Sequence, residues 1–156
     1  MDLSIIAAMT FDRVIGKDGT LPWKISEDLK QFKGLTLNNT IIMGRKTFDS
    51  LPKKPLPKRN NIVLTSQEIK IEGVDSCSSL DEALQKAESY HKQTFVIGGE
   101  NVYKQTLPLA QRLFISYVYG KYEGDSYFPE IDYNDWDIIK EIPFEDFLFR
   151  EYKRRR

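Results

Sequence analysis

The chain has 156 residues, 40% of them hydrophobic and 29% charged, and its 23 basic and 23 acidic side chains cancel. This length is typical of one domain with a substantial core, so we predict a single domain over residues 1–156. The absence of net charge gives no overall field that would attract nucleic acid or an anionic membrane, and we expect neither as a partner. With one cysteine, Cys77, and one histidine, His91, the chain has no intramolecular disulfide and no ready Cys/His metal site or catalytic dyad.

The N-terminal segment MDLSIIAAMTFD has a short apolar run and no basic leader. It therefore predicts a first strand rather than a signal peptide. No run approaches transmembrane length, and we expect a cytoplasmic protein.

Seven apolar segments are predicted strands, several of them continuously apolar, as in strands covered on both faces. In chain order they are LSIIAAM, TIIMG, NNIVLTS, TFVIGG, RLFISYVYG, WDIIKEI and FLFREYK. Helical patterns separate the earlier ones. The clearest has a capping box of Ser79 and Glu82 and an apolar stripe at Leu80, Ala83, Leu84 and Ala87. This order predicts an α/β fold: one mostly parallel twisted sheet flanked by helices, with a C-terminal antiparallel hairpin at one edge.

The segment LPWKISEDLKQF, residues 21–32, places an acid beside an apolar stripe. Ile25, Leu29 and Phe32 recur at helical spacing and predict a buried helix face. Asp28 flanks that face, where a carboxylate costs free energy unless it accepts hydrogen bonds. The alternative is a first-turn acid that stabilises its own helix behind Ser26 as N-cap.

Three predicted strand ends carry groups suited to phosphate, at the place where open α/β sheets bind ligands. The groups are Gly44 with Arg45, Lys46 and Thr47, then Thr65 with Ser66, then Gly98 and Gly99 before a helix that begins near Glu100. Each junction alone is common in α/β proteins, and neither the GxGxxG nor the GxxxxGK[ST] motif is present. Together the three ends favour a dinucleotide, and their basic and hydroxyl side chains favour NADP over NAD.

These motifs together resemble the dihydrofolate reductase family, of the bacterial chromosomal type. The matching segments, in the family's order and spacing, are IIAAMTFDRVIGKDGTLPW, EDLKQFK, IIMGRKTFDSL, PLPKRNNIVLTS, FVIGGENVYKQTLP and YEGDSYFPEI. The resemblance implies an NADPH-dependent oxidoreductase that reduces 7,8-dihydrofolate to tetrahydrofolate, with hydride transfer to C6 and protonation at N5. It also implies a monomeric antifolate target that supports one-carbon metabolism and thymidylate, purine and methionine synthesis.

For the substrate, the resemblance implies that Asp28 hydrogen-bonds the 2-amino group and adjacent ring nitrogen of the pterin, supported by Ser116. Leu21 and Trp23 would act with Asp28 in catalysis, because they belong to a mobile loop, residues 10–24, that closes over the ring and admits the protonating water. The other implied contacts are Ile6 and Ala8 along the pterin, Phe32 and Leu56 around the benzoyl ring, and Arg59 at the glutamate carboxylate.

For NADPH, the resemblance implies contacts from the first strand, the loop and the three strand ends. These residues are Ala8, Val14, Ile15, Gly16, Lys17, Asp18, Gly19, Thr20, Gly44, Arg45, Lys46, Thr47, Leu64, Thr65, Ser66, Gly98, Gly99, Glu100, Asn101, Val102 and Tyr103. The Gly98–Gly99 peptide is expected to be cis. The Glu100 carboxylate would weaken phosphate binding unless it points away or pairs with a cation, and no metal is implied.

Two other functions stay open. A reductase of the same fold could act on a pyrimidine intermediate of riboflavin synthesis, although Asp28, Phe32 and Arg59 argue against it because that substrate has a ribose phosphate instead of a benzoyl-glutamate tail. A non-catalytic nucleotide-binding domain would keep the phosphate ends but lose the substrate carboxylate or the loop, and this sequence retains both.

Overall fold

A computed structural model of the chain describes residues 2–17 and 21–155. Its strands are Leu3–Thr10 (β1), Val14–Gly16 (β2), Thr40–Gly44 (β3), Asn60–Leu64 (β4), Val74–Cys77 (β5), Thr94–Val96 (β6), Arg112–Val118 (β7), Ser126–Tyr127 (β8), Trp136–Pro143 (β9) and Phe147–Arg154 (β10). Its helices are Ser26–Thr36 (α1), Arg45–Ser50 (α2), Leu80–Ser89 (α3) and Glu100–Thr106 (α4), with short 3-10 turns at Leu107–Leu109 and Tyr133–Asp135.

One sheet contains eight of these strands, in the order β5, β4, β3, β6, β1, β7, β10 and β9. Neighbours are parallel from β5 to β7, whereas β10 is antiparallel to both β7 and β9. The predicted mostly parallel sheet with an antiparallel C-terminal hairpin is therefore confirmed. The short strands β2 and β8 pair with each other in a separate antiparallel ribbon. In the described part of the chain, no helix combines the length and apolar character needed to span a membrane.

Side chains alternate across β1 and separate two hydrophobic layers. Ile5 and Met9 belong to a layer that includes buried residues of α3 and α4. Ile6 and Ala8 belong to the other layer, against which α1 packs with partly buried side chains. Every residue of β1 is buried except Ala8, which is half-exposed. An opening at one residue of a central strand indicates that the second layer is not closed there.

Helix α3 forms as predicted, with one difference at its start. The Ser79 hydroxyl accepts a hydrogen bond from the Glu82 backbone N–H at 3.1 Å, and Ala83 and Ala87 are fully buried. The Glu82 carboxylate accepts from the neighbouring Ser78 hydroxyl at 3.2 Å. In a capping box, the Glu82 carboxylate would instead accept a hydrogen bond from the Ser79 backbone N–H.

Helix α1 corrects two predictions. Leu29 is 50% exposed and Ile25 and Phe32 are only half-buried, so their stripe is not a buried face. Ser26 is the first helical residue; the N-cap is Ile25, which makes no side-chain capping bond. Ile25, Phe32 and Leu35 pack on the second layer, whereas Leu29 lies on the side of the helix turned away from it. Apolar side chains at helical spacing therefore stay accessible on this helix.

Gly124, just before β8, lies against β2 where there is no room for a side chain. A Cβ at this position would lie 2.3 Å from Val14 Cγ1 and 2.7 Å from the Gly16 carbonyl oxygen. We expect Gly124→Ala to lower the free energy of unfolding by about 2 kcal/mol, within the usual cost of overpacking, as measured by urea denaturation.

Gly34 in α1 provides the matched control. A Cβ there would meet no described atom within 4 Å, so Gly34→Ala should stabilise the helix by about 0.5–1 kcal/mol. Similar effects of the two substitutions would contradict the contact assigned to Gly124.

Candidate functional site

The three strand ends that are predicted to bind phosphate lie side by side in the sheet. Gly44 at the end of β3 is paired with Leu64 at the end of β4, and the Gly44 backbone N–H donates to the Gly98 carbonyl at 2.9 Å. Because β4, β3 and β6 are neighbours, a single ligand can reach all three ends. Helices α2 and α4 begin directly after two of them, at Arg45 and Glu100, as predicted.

The glycine pair after β6 forms a tight corner. The Gly98–Gly99 peptide is cis, which confirms that expectation, and Gly98 has a φ of 131°. A Cβ on Gly98 would lie 3.3 Å from Thr47 Oγ1 and 3.6 Å from the Tyr103 ring. Glycine is therefore required for both conformation and space, and it leaves backbone accessible for close approach by a ligand.

The side chains at these ends differ in accessibility. Arg45 and Lys46 are exposed, although the Arg45 guanidinium is 3.0 Å from Asp49. Thr65 is half-buried and accepts a hydrogen bond from the Gln67 backbone N–H, whereas Leu64 is half-buried and Ser66 and Asn101 are exposed. Exposed cations and hydroxyls of this kind suit phosphate oxygens.

Several predicted cofactor residues have a different setting. Val102 is buried. Its side chain packs beneath Gly44, because a Cβ on Gly44 would lie 3.3 Å from Val102 Cγ2. The residues of β2, Val14, Ile15 and Gly16, range from buried to half-buried, and Lys17 after them is exposed. Asp18, Gly19 and Thr20 lie outside the described residues.

Asp28 lies in the first turn of α1, beside the half-open layer. Burial raises the pKa of its carboxyl above the usual value, and a hydrogen bond from the Ser116 hydroxyl lowers it in part. Ser116 is buried on β7 directly opposite Ala8, the half-exposed residue of β1. No Lys or Arg forms an ion pair with Asp28 in the described part of the chain. The carboxylate is thus partly desolvated, lies near a hydroxyl, and has lone pairs for another donor.

Trp23 contributes an unpaired donor on the same layer. Its side chain is 8% exposed, and its Nε1 has no hydrogen-bond partner among the described residues. Tyr122 packs edge-on against the indole at a centroid distance of 5.3 Å. A buried N–H without an acceptor costs about 1–3 kcal/mol, which a ligand or water oxygen recovers. Leu21, two residues earlier, is 49% exposed.

Tyr103 connects the glycine corner with the Asp28 region. Its buried hydroxyl donates to the Ile6 carbonyl at 2.8 Å. Burial raises the pKa of this hydroxyl, and the charge of Asp28 raises it further. The phenol is therefore neutral at ordinary pH, and its hydrogen bond joins α4, which follows the glycine corner, to the first strand.

Arg59 is fixed by neutral groups. Its Nε donates to the Pro57 carbonyl at 2.9 Å and its Nη1 to the Thr36 hydroxyl at 3.1 Å. Partial burial lowers the pKa of the guanidinium, but an arginine remains charged at neutral pH. No described carboxylate pairs with it. A positioned, uncompensated arginine is suited to an anionic group of a ligand.

One aromatic and one aliphatic residue of the predicted site pack on the second layer. Phe32 of α1 and Leu56 before β4 are half-buried and pack on the layer that also contains Ile6, Trp23 and Phe114. The structure therefore brings four of the predicted substrate residues, Ile6, Ala8, Phe32 and Leu56, into one layer. Arg59 is bonded to Thr36, at the end of the helix that carries Asp28.

The prediction missed three residues that shape this layer. Buried Asn61 exchanges two hydrogen bonds with the Leu56 backbone, each of 3.0 Å, and so fixes the loop that carries Arg59. Thr36 supplies the hydroxyl for Arg59, and Tyr122 covers Trp23. An asparagine inside an apolar strand run was the available signal for the first, whereas the other two depend on contacts distant in sequence.

Residues 2–154 match the family model described as dihydrofolate reductase. The chain is 42% identical over 151 residues to a dihydrofolate reductase of Buchnera aphidicola subsp. Acyrthosiphon pisum, covering 97% of this chain and 88% of that protein. It is 43% identical over 138 residues to that of Bacillus subtilis, covering 88% and 81%. The dihydrofolate reductase of Enterococcus faecalis, solved with NADP(H) and RAB-propyl, superposes with a TM-score of 0.92 at 36% identity over 99% of this chain and 97% of that one.

Proposed function

The chain belongs to the dihydrofolate reductase family, and we propose that it reduces 7,8-dihydrofolate to 5,6,7,8-tetrahydrofolate with NADPH. The observation that carries the proposal is Asp28: a carboxylate in a partly closed apolar layer, with a raised pKa and no cationic partner among the described residues. A planar ring edge with two parallel N–H groups satisfies such a carboxylate. The pterin ring has that edge.

The residues at the strand ends fit a phosphate-rich cofactor. Gly98 leaves a space that a Cβ would fill, Thr47 Oγ1 lies beside it, and exposed Arg45 and Lys46 stand on the neighbouring end. When bound, NADPH supplies the hydride that is transferred to C6. The Gly98–Gly99 corner would hold the cofactor close to Tyr103, whose hydroxyl is bonded to the carbonyl of Ile6, a member of the substrate layer.

The chain's own residues orient the substrate and control its protonation. Asp28 holds the pterin edge, and the Ser116 hydroxyl fixes the carboxylate in turn. Because Asp28 contacts the 2-amino edge, it does not hand a proton directly to N5. A water admitted beside Leu21 serves as the donor, and Trp23, with its unpaired N–H, offers a group that can orient a water or ligand oxygen.

The tail of the substrate is held further along the same layer. Phe32 and Leu56 pack around the benzoyl ring, and Arg59 binds the glutamate carboxylate. Apolar walls exclude water from the pterin end, which strengthens the Asp28 hydrogen bonds. A charged anchor at the opposite end fixes the direction in which the substrate enters.

Substrate choice tests this function. The protein is incubated with NADPH and either dihydrofolate or an aminopyrimidine ribose phosphate, and the product is identified by mass. We expect tetrahydrofolate from the first and no reduction of the second. Reduction of the pyrimidine alone would identify the protein as a reductase of riboflavin synthesis instead. NADPH binding without reduction of either compound would indicate a non-catalytic nucleotide-binding domain.

A further inference from the structure

The carboxylate of Glu100 does not stand free beside the proposed phosphate site. Its Oε1 accepts a hydrogen bond from the backbone N–H of Tyr127 at 2.7 Å. Glu100 is the first residue of α4 and follows the Gly98–Gly99 corner, whereas Tyr127 ends β8. One exposed side chain therefore joins two segments that are 27 residues apart.

Strand β8 is bonded on two sides. On one side, backbone bonds from Phe128 N–H to the Arg13 carbonyl, 2.8 Å, and from Asp125 N–H to the Gly16 carbonyl, 3.0 Å, attach it to β2. On the other side, the Tyr127 N–H is directed to Glu100. The carboxylate thus takes the place that a further strand would have at this edge.

The ribbon depends on such contacts because it is very short. Strands of three and two residues have little stability by themselves. An exposed ion pair of 3.1 Å between Lys17 and Glu123 also bridges the two sides, but pairs of this kind contribute little. Buried Phe128, directly after β8, packs on Tyr103 of α4 with ring centroids 4.8 Å apart. The hydrogen bond from Tyr127 to Glu100 is a second tie between the ribbon and the start of α4.

We propose that Glu100 is a positioning residue that holds the β2–β8 ribbon against the start of α4. It thereby fixes the relative position of the two segments proposed for the cofactor, residues 14–17 and 98–103. The identity of the cofactor rests on the proposed function, whereas the tether itself does not. The opposing account is that Glu100 only repels phosphate, so that removing its charge would strengthen NADPH binding.

Amide hydrogen exchange of the ligand-free protein tests the tether. In Glu100→Ala, exchange in residues 13–17 and 122–128 should rise about fivefold, equivalent to about 1 kcal/mol. Glu100→Gln keeps an acceptor oxygen and should stay close to the natural protein. Asp81→Ala, which removes an exposed acid from the first turn of α3, controls for the loss of a favourable charge at a helix start. Unchanged exchange in Glu100→Ala would overturn the proposal.

The dissociation rate of NADPH, measured by rapid mixing, tests the consequence for binding. We expect about a fivefold faster release from Glu100→Ala and a near-natural rate from Glu100→Gln and Asp81→Ala. Slower release from both Glu100 variants would overturn the proposal in favour of charge repulsion. If the natural protein failed to reduce dihydrofolate, the proposed function would fail, but the exchange result would still decide the tether.

Discussion

Asp28→Asn is expected to lower kcat/KM for dihydrofolate by at least about 100-fold while leaving NADPH affinity within about twofold. The asparagine has one acceptor oxygen and no charge, so it cannot accept two charge-assisted N–H bonds from the pterin edge. Hydrogen bonds to charged groups contribute about 1.5–3 kcal/mol each, and about 2.7 kcal/mol corresponds to 100-fold. Initial rates of NADPH oxidation and equilibrium NADPH binding give the two quantities.

Glu27→Gln is the matched control for this substitution. Glu27 is the preceding acid in the same helical turn, but it is exposed and lies 3.4 Å from Lys30 in an ordinary surface pair. Its replacement should leave kcat/KM nearly unchanged. An Asp28→Asn protein that kept most of its activity would remove Asp28 from the pterin site.

Asp28→Asn should also raise the free energy of unfolding of the ligand-free protein, and the gain should depend on pH. Because burial raises the pKa of Asp28 in the folded state, the folded protein binds this proton more tightly than the unfolded chain. Its stability therefore falls as pH rises through the interval between the unfolded and folded pKa. The neutral amide of the variant has no such penalty, so urea midpoints should coincide in acid, where Asp28 is neutral, and diverge in favour of the variant at higher pH. A variant that is less stable at neutral pH would contradict the assigned desolvation.

Arg59→Gln is expected to raise KM for dihydrofolate about 30-fold with little change in kcat. Truncating one partner of a hydrogen-bonded charge pair commonly costs about 2 kcal/mol or more, and that free energy corresponds to this factor. The change in KM without kcat follows because the tail lies far from the reacting atoms. Steady-state kinetics at saturating NADPH gives both constants.

A substrate without the glutamate tail makes the Arg59 test specific. Reduction of a tail-less dihydropterin should be slow in the natural protein and unaffected by Arg59→Gln. Lys58→Gln, which removes an exposed cation from the same loop, should change neither reaction. An equal loss for both substrates would assign Arg59 a structural role through its bonds to Thr36 and Pro57.

Local sequence determined much of this architecture. Continuous apolar runs identify strands that are covered on both faces, and Gly98-Gly99 marks a corner that side chains would fill. Helix α4 begins at Glu100 as predicted, directly after the glycine pair, with Gly99 as its N-cap. Strands β2, β5 and β8 escape prediction because they are four residues or fewer and lack apolar runs.

What the sequence did not reveal depends on contacts between distant segments. Leu29 has the spacing of a core residue, yet it is 50% exposed, while Phe32 and Leu35 of the same helix pack on the second layer. The hydrogen bond between Arg59 and Thr36 joins residues that are 23 positions apart in sequence, and the one between Tyr127 and Glu100 joins residues 27 apart. No periodicity encodes such pairs, since each requires the sheet order to be known first.

A single-turnover reaction is the most direct test of the central claim, that Asp28 holds the pterin for reduction by NADPH. Protein saturated with NADPH is mixed with dihydrofolate, and NADPH absorbance and tetrahydrofolate are followed for the natural protein and Asp28→Asn. The account predicts one equivalent of tetrahydrofolate formed rapidly by the natural protein and at least about 100-fold more slowly by the variant. Equal rates, or no tetrahydrofolate from a natural protein that binds NADPH tightly, would contradict it.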